Sequence, residues 1–427
     1  MIKKIFADIW ENCIKVKLRK IKRLVRVCMI NKYNRRLPYL LNEIHNKEKL
    51  KVVFFTINVG MWKNDGLFKL LQKSERFDPM IISYLFPIDT DDYRRYAQDS
   101  MRNYFTFKGY HYIDSYNYQT GKWIDMGSIK PDIVFYSQPY DAGFSSYRIK
   151  KLWKDCIFIY TPYCFIMEDI PGYNNLFLNN IAWKMFYPTP FHKSMGCKYA
   201  YNKGENIVVT GNPMADSLIT ENRTEWKGWK QREKNIKRVI WAPHHSILDS
   251  STLHCSNFLE LAESMLALTA EYIGKIQFAF KPHPRLISQL HKHPDWGIEK
   301  TKKYYQKWDE MPNTTFIEGE YIELFKSSDA LVHDCSTFMG EYLYTKNPLM
   351  FIAKDNVTDI MNDFGKSCFE QHYKGKNIDD IRNFLDNVVI RGNDPMRTNR
   401  EIFFNKYLLP PNGKTASENM YQEMLEL

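Results

Sequence analysis

The sequence predicts an α/β protein of two Rossmann-like halves preceded by a basic helical segment. Three observations predict it: a basic tail, two successive series of short apolar runs alternating with helical patterns, and a polar break between the series.

The tail comes first. Residues 1–50 hold 14 Lys and Arg against 4 Asp and Glu, so they carry +10 of the chain's +11. Ile5, Phe6, Ile9, Trp10, Ile14, Leu18, Ile21 and Val25 recur at steps of three and four among Lys3, Lys4, Lys17, Arg19, Lys20 and Arg23. That spacing gives a helix one apolar and one basic face, suited to the headgroup layer of an anionic membrane reached through residues 1–30. A helix packed on the protein's own body is the plain alternative. Charge confined to one tail speaks against nucleic-acid partners, which call for positive charge across a binding face. Lys15, Lys17, Arg19 and Lys20 interrupt any secretory core, and no run is long and apolar enough to span a membrane. The eight cysteines are scattered without a C-x-x-C pair, which suits a reducing compartment and excludes a disulfide scaffold. The expected location is cytoplasmic, peripheral on the inner face of the cell membrane.

The first strand series is 52–57, 80–86, 132–136, 156–160 and 206–210; the second is 238–241, 276–280, 314–317, 330–333 and 348–352. Such short runs, bounded by Gly, Pro, Asn or Asp, fit buried parallel strands. The clearest helical pattern between them is 258–272. The polar stretch 219–237 is the expected linker, so the expected domains are 1–50, 51–218 and 238–427, with the last helices free to fold back on the first half.

Ligands of open α/β sheets bind beyond the carboxyl ends of the strands. Three loops of the second half stand out there: Ala242-Pro243-His244-His245-Ser246, Lys281-Pro282-His283-Pro284-Arg285, and Asp334-Cys335-Ser336-Thr337 leading into a helix with Glu341. Ser336 or Thr337 is expected to cap that helix. Cations, imidazoles, hydroxyls and a helix N-terminus at one edge are what a diphosphate requires. Each histidine alone is more often a structural hydrogen-bonding residue; the combination carries the reading. The spacing lacks the pattern of a zinc site, and no G-x-G-x-x-G or Walker segment is present, so neither a metal nor a cofactor is expected.

Three segments in order, Val209-Thr-Gly-Asn-Pro213 with Asp216, Lys281-Pro-His-Pro284, and Ser328-Asp329 followed by Asp334-x-Ser336, Glu341 and Lys346-x-Pro348, resemble the CDP-glycerol glycerophosphotransferase family. Its members are teichoic-acid primases and polymerases, peripheral membrane enzymes of the GT-B fold, in which two Rossmann-like domains face a cleft. The resemblance spans about residues 130–355. It implies transfer of glycerol phosphate, or a similar polyol phosphate, from a CDP-activated donor to a hydroxyl of a polysaccharide or lipid-linked acceptor in teichoic-acid or capsule synthesis. It implies further that His283, with Ser336 and Thr337, binds the donor diphosphate and that Glu341 faces the ribose. Lys281, Arg285, Asp334 and Pro213 are assigned to the same donor site. Asn58, Trp62 and Tyr163 are expected on the acceptor side, although 58–62 reads equally well as a plain strand-to-helix turn.

The resemblance breaks at one point. Family members carry a His-Gly-Thr segment after a strand of the first domain, whereas Thr161-Pro162-Tyr163-Cys164-Phe165 has no histidine, and His244-His245-Ser246 replaces the family's Thr-x-Arg. The general base is then expected at His244 or His245 across the cleft, unless donor and acceptor differ from the family's. Two other classes stay open: a nucleotide-sugar glycosyltransferase on the same fold, and a non-catalytic GT-B-like membrane protein.

Overall fold

The computed structural model describes residues 2–219, 226–230, 233, 235–248 and 255–427, with side chains in the first helix described at residue 17 and from 21 onward. Seven strands form the first sheet: β1 (Leu50–Thr56), β2 (Phe77–Ser83), β3 (Tyr112–Ile113), β6 (Ile133–Tyr136), β7 (Ile157–Tyr160), β8 (Lys184–Tyr187) and β9 (Ile207–Val209). A small hairpin, β4 (Tyr116–Asn117) and β5 (Lys122–Trp123), lies apart from it. The second sheet has β10 (Lys237–Ala242), β11 (Ile276–Phe280), β12 (Thr314–Phe316), β13 (Ala330–His333), β14 (Leu349–Ile352) and β15 (Tyr373–Gly375).

The order is β3-β2-β1-β6-β7-β8-β9 in the first sheet and β12-β11-β10-β13-β14-β15 in the second. All neighbours in both sheets are parallel. Each sheet therefore reverses direction of travel beside its own first strand, the switch point at which doubly wound sheets bind ligands.

All ten expected strands form. The largest offset is at β2, which starts at Phe77 and runs through Pro79. The proline is tolerated because its nitrogen faces the β3 side, where pairing begins only at Ile81, whose N–H reaches His111 O. Five strands among the described residues were not expected (β3, β4, β5, β8 and β15), notably β8, whose Lys-Met-Phe-Tyr is too short and polar at its start to read as a buried strand.

Alternation along the second sheet divides its core. Val239 and Trp241 of β10 pack with Phe258, Phe280 and Trp308 on one face. Ile240 and Ala242 face the other side, with Leu331, Met339 and Phe364. That second face also takes in Phe165 and Met167 from the loop after β7 of the first half. In return the helix Ala416–Met424 places Met420 and Met424 in the core of the first half.

The first helix, Ile2–His45, is continuous. Ile30, Tyr33, Leu40 and Ile44 are buried against the first half, Tyr33 stacking on Phe158 at 5.7 Å. Further toward the N-terminus Ile21, Leu24 and Val25 are exposed. The expected apolar face formed by Ile5, Phe6, Ile9, Trp10, Ile14 and Leu18 lies outside the described side chains. No helix among the described residues is long and apolar enough to cross a membrane.

Of the expected linker, Trp229 is buried, and its indole N–H donates to Ser327 Oγ at 2.7 Å. The stretches 220–225, 231–232 and 234 lie outside the described residues.

Candidate active site

The loops after β10, β11 and β13 meet. His283 N–H donates to Pro243 O (3.0 Å), which joins the first two loops. The carboxylate of Asp334 accepts from the N–H groups of His244 and Asn257, both at 2.6 Å, which joins the first to the third. The result is a cluster of three imidazoles, with ring centroids 4.2 Å apart for His244 and His245, 4.1 Å for His245 and His283, and 5.2 Å for His244 and His283.

Burial, reinforced by the mutual repulsion of the rings and by Arg285, lowers their pKa values to about 3 for His244, about 4 for His245 and about 2 for His283. Burial thus favours the neutral form of all three rings. Expecting the general base at His244 or His245 therefore conflicts with the burial of these rings.

Nitrogens of the three rings lie within 4.8 Å of one another, a spacing that suits a metal ion. The hydrogen bonds point elsewhere. Arg285 N–H donates to His283 Nδ1 (3.1 Å) and Ser246 N–H to His244 Nδ1 (3.3 Å), so these nitrogens act as acceptors and the proton sits on Nε2. A metal on Nε2 requires the opposite tautomer, with Nδ1–H held by a carbonyl or carboxylate. Two Nε2–H groups are instead hydrogen-bond donors suited to an anion.

The geometry places the other residues expected at the donor site as follows. Asp334 does not face the cleft; it is buried, engaged by two backbone amides, and burial pushes its pKa up to about 7. Neither Ser336 nor Thr337 caps the following helix, Phe338–Glu341: Thr337 is at the N-cap in helical conformation without a side-chain bond, and its hydroxyl meets Cys335 Sγ at 3.4 Å. Pro213 is buried in a turn organised by Asn212, whose side chain accepts from Met214 N. In that segment Asp216 accepts from the N–H groups of Ala416 and Ser417 and so anchors the C-terminal helix.

A second polar cluster joins the halves. Lys63, directly after Trp62 in the loop beyond β1, donates to Tyr321 Oη at 2.6 Å, and Tyr321 donates to Glu341 Oε2 at 2.5 Å. All three side chains are buried. Glu341 is thus enclosed by a tyrosine and a lysine instead of lying open at the cleft. Lys281 is buried beside the same tyrosine, 5.9 Å from its ring, and burial lowers its pKa to about 8. Arg285, by contrast, is exposed and acts across the gap on Asp89, Tyr93 and Tyr163 of the first half.

On the first half, Asn58 accepts from Met61 N (3.0 Å) and starts a turn of 3-10 helix. The ring of Trp62, expected on the acceptor side, is buried among Phe54, Phe68 and Phe105, within 5.7 Å of each. Tyr163 is half-buried on the loop after β7. That loop is pinned to the second half: Asn362 donates its side-chain N–H to Ile166 O (2.7 Å) and its backbone N–H to Met167 O (2.9 Å), and Glu168 bridges Met361. Glu168 in turn lies near Ser336, and burial raises its pKa. Lys63, Tyr321 and Glu168 were missed by reasoning from sequence. Only Lys63, a cation at a strand's carboxyl end, left a local signal.

Two parallel sheets, of seven and six strands, each wound outward in both directions from its first strand, with loops converging from their carboxyl edges, define a GT-B-like fold. The chain belongs to the CDP-glycerol:poly(glycerophosphate) glycerophosphotransferase family, whose model matches residues 177–425. Comparison with curated protein sequences finds no match. Among solved structures, a variant of the wall teichoic acid polymerase TagF soaked with CDPG is similar at a TM-score of 0.56 and 13% identity, covering 89% of this chain and 90% of that one. A putative UDP-N-acetylglucosamine 2-epimerase from Listeria monocytogenes is similar at 0.57 and 13%, covering 89% and 98%. UDP-GlcNAc 2-epimerase from Neisseria meningitidis bound to UDP-GlcNAc is similar at 0.55 and 14%, covering 89% and 100%. At these identities the likeness concerns the fold alone.

Proposed function

We propose that the cleft transfers glycerol phosphate, or a closely similar polyol phosphate, from a CDP-activated donor to a hydroxyl of a lipid-linked or polysaccharide acceptor. The observation that carries the reading is the cluster of three imidazoles at the switch point of the second sheet, next to Arg285. Neutral N–H donors and one exposed guanidinium hold a diphosphate and stabilise charge as it moves onto the departing nucleotide. The family match to residues 177–425, which contain all of these groups, supports the donor as CDP-linked.

CDP is expected to raise the melting temperature more than equal concentrations of UDP or GDP. A reversed ranking overturns the donor assignment.

The first helix belongs to the same proposal. Ile21, Leu24 and Val25 are exposed among exposed Lys22 and Arg23, on the N-terminal side of the buried Ile30 and Tyr33. Apolar side chains so placed on a basic helix favour an anionic bilayer at the cytoplasmic face. Removing residues 1–25 spares Ile30 and Tyr33, so the shortened protein is expected to leave anionic vesicles in flotation while keeping its response to CDP. Unchanged flotation excludes the helix as the anchor.

A further inference from the structure

A hydroxyl that attacks phosphorus must lose its proton, and the imidazoles of the donor site are poor recipients for it. Carboxylates in the cleft are better placed. Glu341 is enclosed by Tyr321, and Asp334 is occupied by two backbone amides. Glu168 differs from both.

Its backbone is fixed to the second half by the bridge to Met361 and by Asn362, yet it belongs to the loop after β7 of the first half. Its loop packs on the helix that ends the third donor loop, where Gly340 abuts Phe165 and Met167, and its carboxylate lies near Ser336, just before that helix. Its residue is half-buried, so a path to the carboxylate stays open. Tyr140, after β6, is close on the acceptor side and packs edge-on against Tyr173 at 6.0 Å, both rings being partly exposed.

We propose that Glu168 is the general base of the transfer, placed by the loop after β7 between the donor's phosphates and an incoming polyhydroxylated acceptor. This rests on the donor reading given above. With donor bound, the Ser336 hydroxyl turns to a phosphate oxygen and frees the carboxylate for the acceptor. The acceptor hydroxyl gives its proton to Glu168, and its oxygen forms a bond to the phosphorus that carries the polyol. The phosphoanhydride bond breaks, its electron pair leaves with CMP, and Glu168 later passes its proton to water. Phosphodiester, CMP and one proton are the products.

The test uses the full chain with CDP-glycerol and a lipid-linked polyol-phosphate acceptor. Glu168→Gln keeps the shape and the acceptor oxygen for Ser336. It is expected to lower kcat by roughly 10²-fold or more while leaving thermal stabilisation by CDP unchanged. The titratable groups facing Glu168 among the described residues are Tyr140, whose pKa is raised to about 12, and Cys164, raised as well. The acid limb of the pH–rate profile is therefore assigned to Glu168 and is expected to vanish in the variant. Formate is expected to restore part of the turnover of Glu168→Ala, which a purely structural role does not allow. A change in kcat under threefold, or a loss of turnover that keeps the acid limb and resists formate, overturns the assignment. If the wild type neither responds to CDP nor consumes CDP-glycerol, the donor reading falls and Glu168 as base falls with it; if it does both, only the Glu168 result decides.

Discussion

His283 illustrates how far one residue's chemistry follows from its hydrogen bonds. Because Arg285 N–H occupies Nδ1, the ring offers Nε2–H, and a glutamine places an N–H at about the same reach. His283→Ala is expected to lower turnover by roughly 10²-fold, the usual loss when one donor to transition-state charge is removed. His283→Gln is expected to retain clearly more, since no charge on the ring is required. Equal losses in the two variants, read as kcat with saturating CDP-glycerol, overturn the assignment of Nε2–H as the working group. The position of His283 was legible in the sequence because a strand end and two flanking prolines are local features. Lys281, two residues earlier, looked equivalent and is not: it is buried beside Tyr321. Glu168 and the Lys63–Tyr321 pair were illegible because what places them is contact between residues far apart in the chain, 258 residues in the case of the pair.

At the scale of elements, the sheets were legible and their connections were not. Strands declare themselves through dense β-branched and aromatic runs, so ten of them could be read directly. The loop after β7 could not, because its shape comes from a helix that follows nearly two hundred residues later. Gly365 lies so near this loop that a Cβ would stand 2.5 Å from Met167 O, and one on Gly340 would stand 2.7 Å from the Phe165 ring. These glycines permit the loop to dock, and docking sets the place of Glu168. Gly340→Ala must push Phe165 and Met167 aside, a form of overpacking that costs about 1–3 kcal/mol. Activity is expected to fall further than stability, because the displaced segment carries the base. A variant that loses stability in urea yet keeps full kcat separates the loop from catalysis. The motif Gly211-Asn-Pro213 with Asp216 offers the opposite lesson. It resembles a family signature, but here its visible work is structural: Gly211 takes φ +93° against Pro410, and Asp216 caps the last helix.

Across the whole molecule, burial of ionisable groups links stability to pH in two opposing senses. Six imidazoles, those of His192, His244, His245, His283, His333 and His372, have pKa values depressed by burial. The unfolded chain takes up their protons below its own histidine pKa of about 6.5, so this contribution is lost as pH falls through that value toward the folded pKa. Buried carboxyls act in the reverse sense. Asp334, raised to about 7, gains protons on folding, and its contribution is full below the unfolded carboxyl range and lost as pH rises through about 7. A single substitution isolates one side of this balance. His372 is fully buried next to His333 at 5.3 Å, and its Nδ1 meets Cys368 O at 2.8 Å, a bond that an asparagine N–H reproduces. His372→Asn therefore removes one titration and keeps the hydrogen bond. One group that protonates only in the unfolded state costs about 1.4 kcal/mol per pH unit, or about 2 kcal/mol between pH 6.5 and 5. Urea unfolding at pH 7.5, 6.5 and 5 is expected to show the wild type losing about that much more than His372→Asn over the lower interval, and no difference in slope between pH 7.5 and 6.5. Parallel pH dependences below 6.5 would mean that His372 is protonated in the folded protein, and that burial at the edge of the second sheet does not keep it neutral.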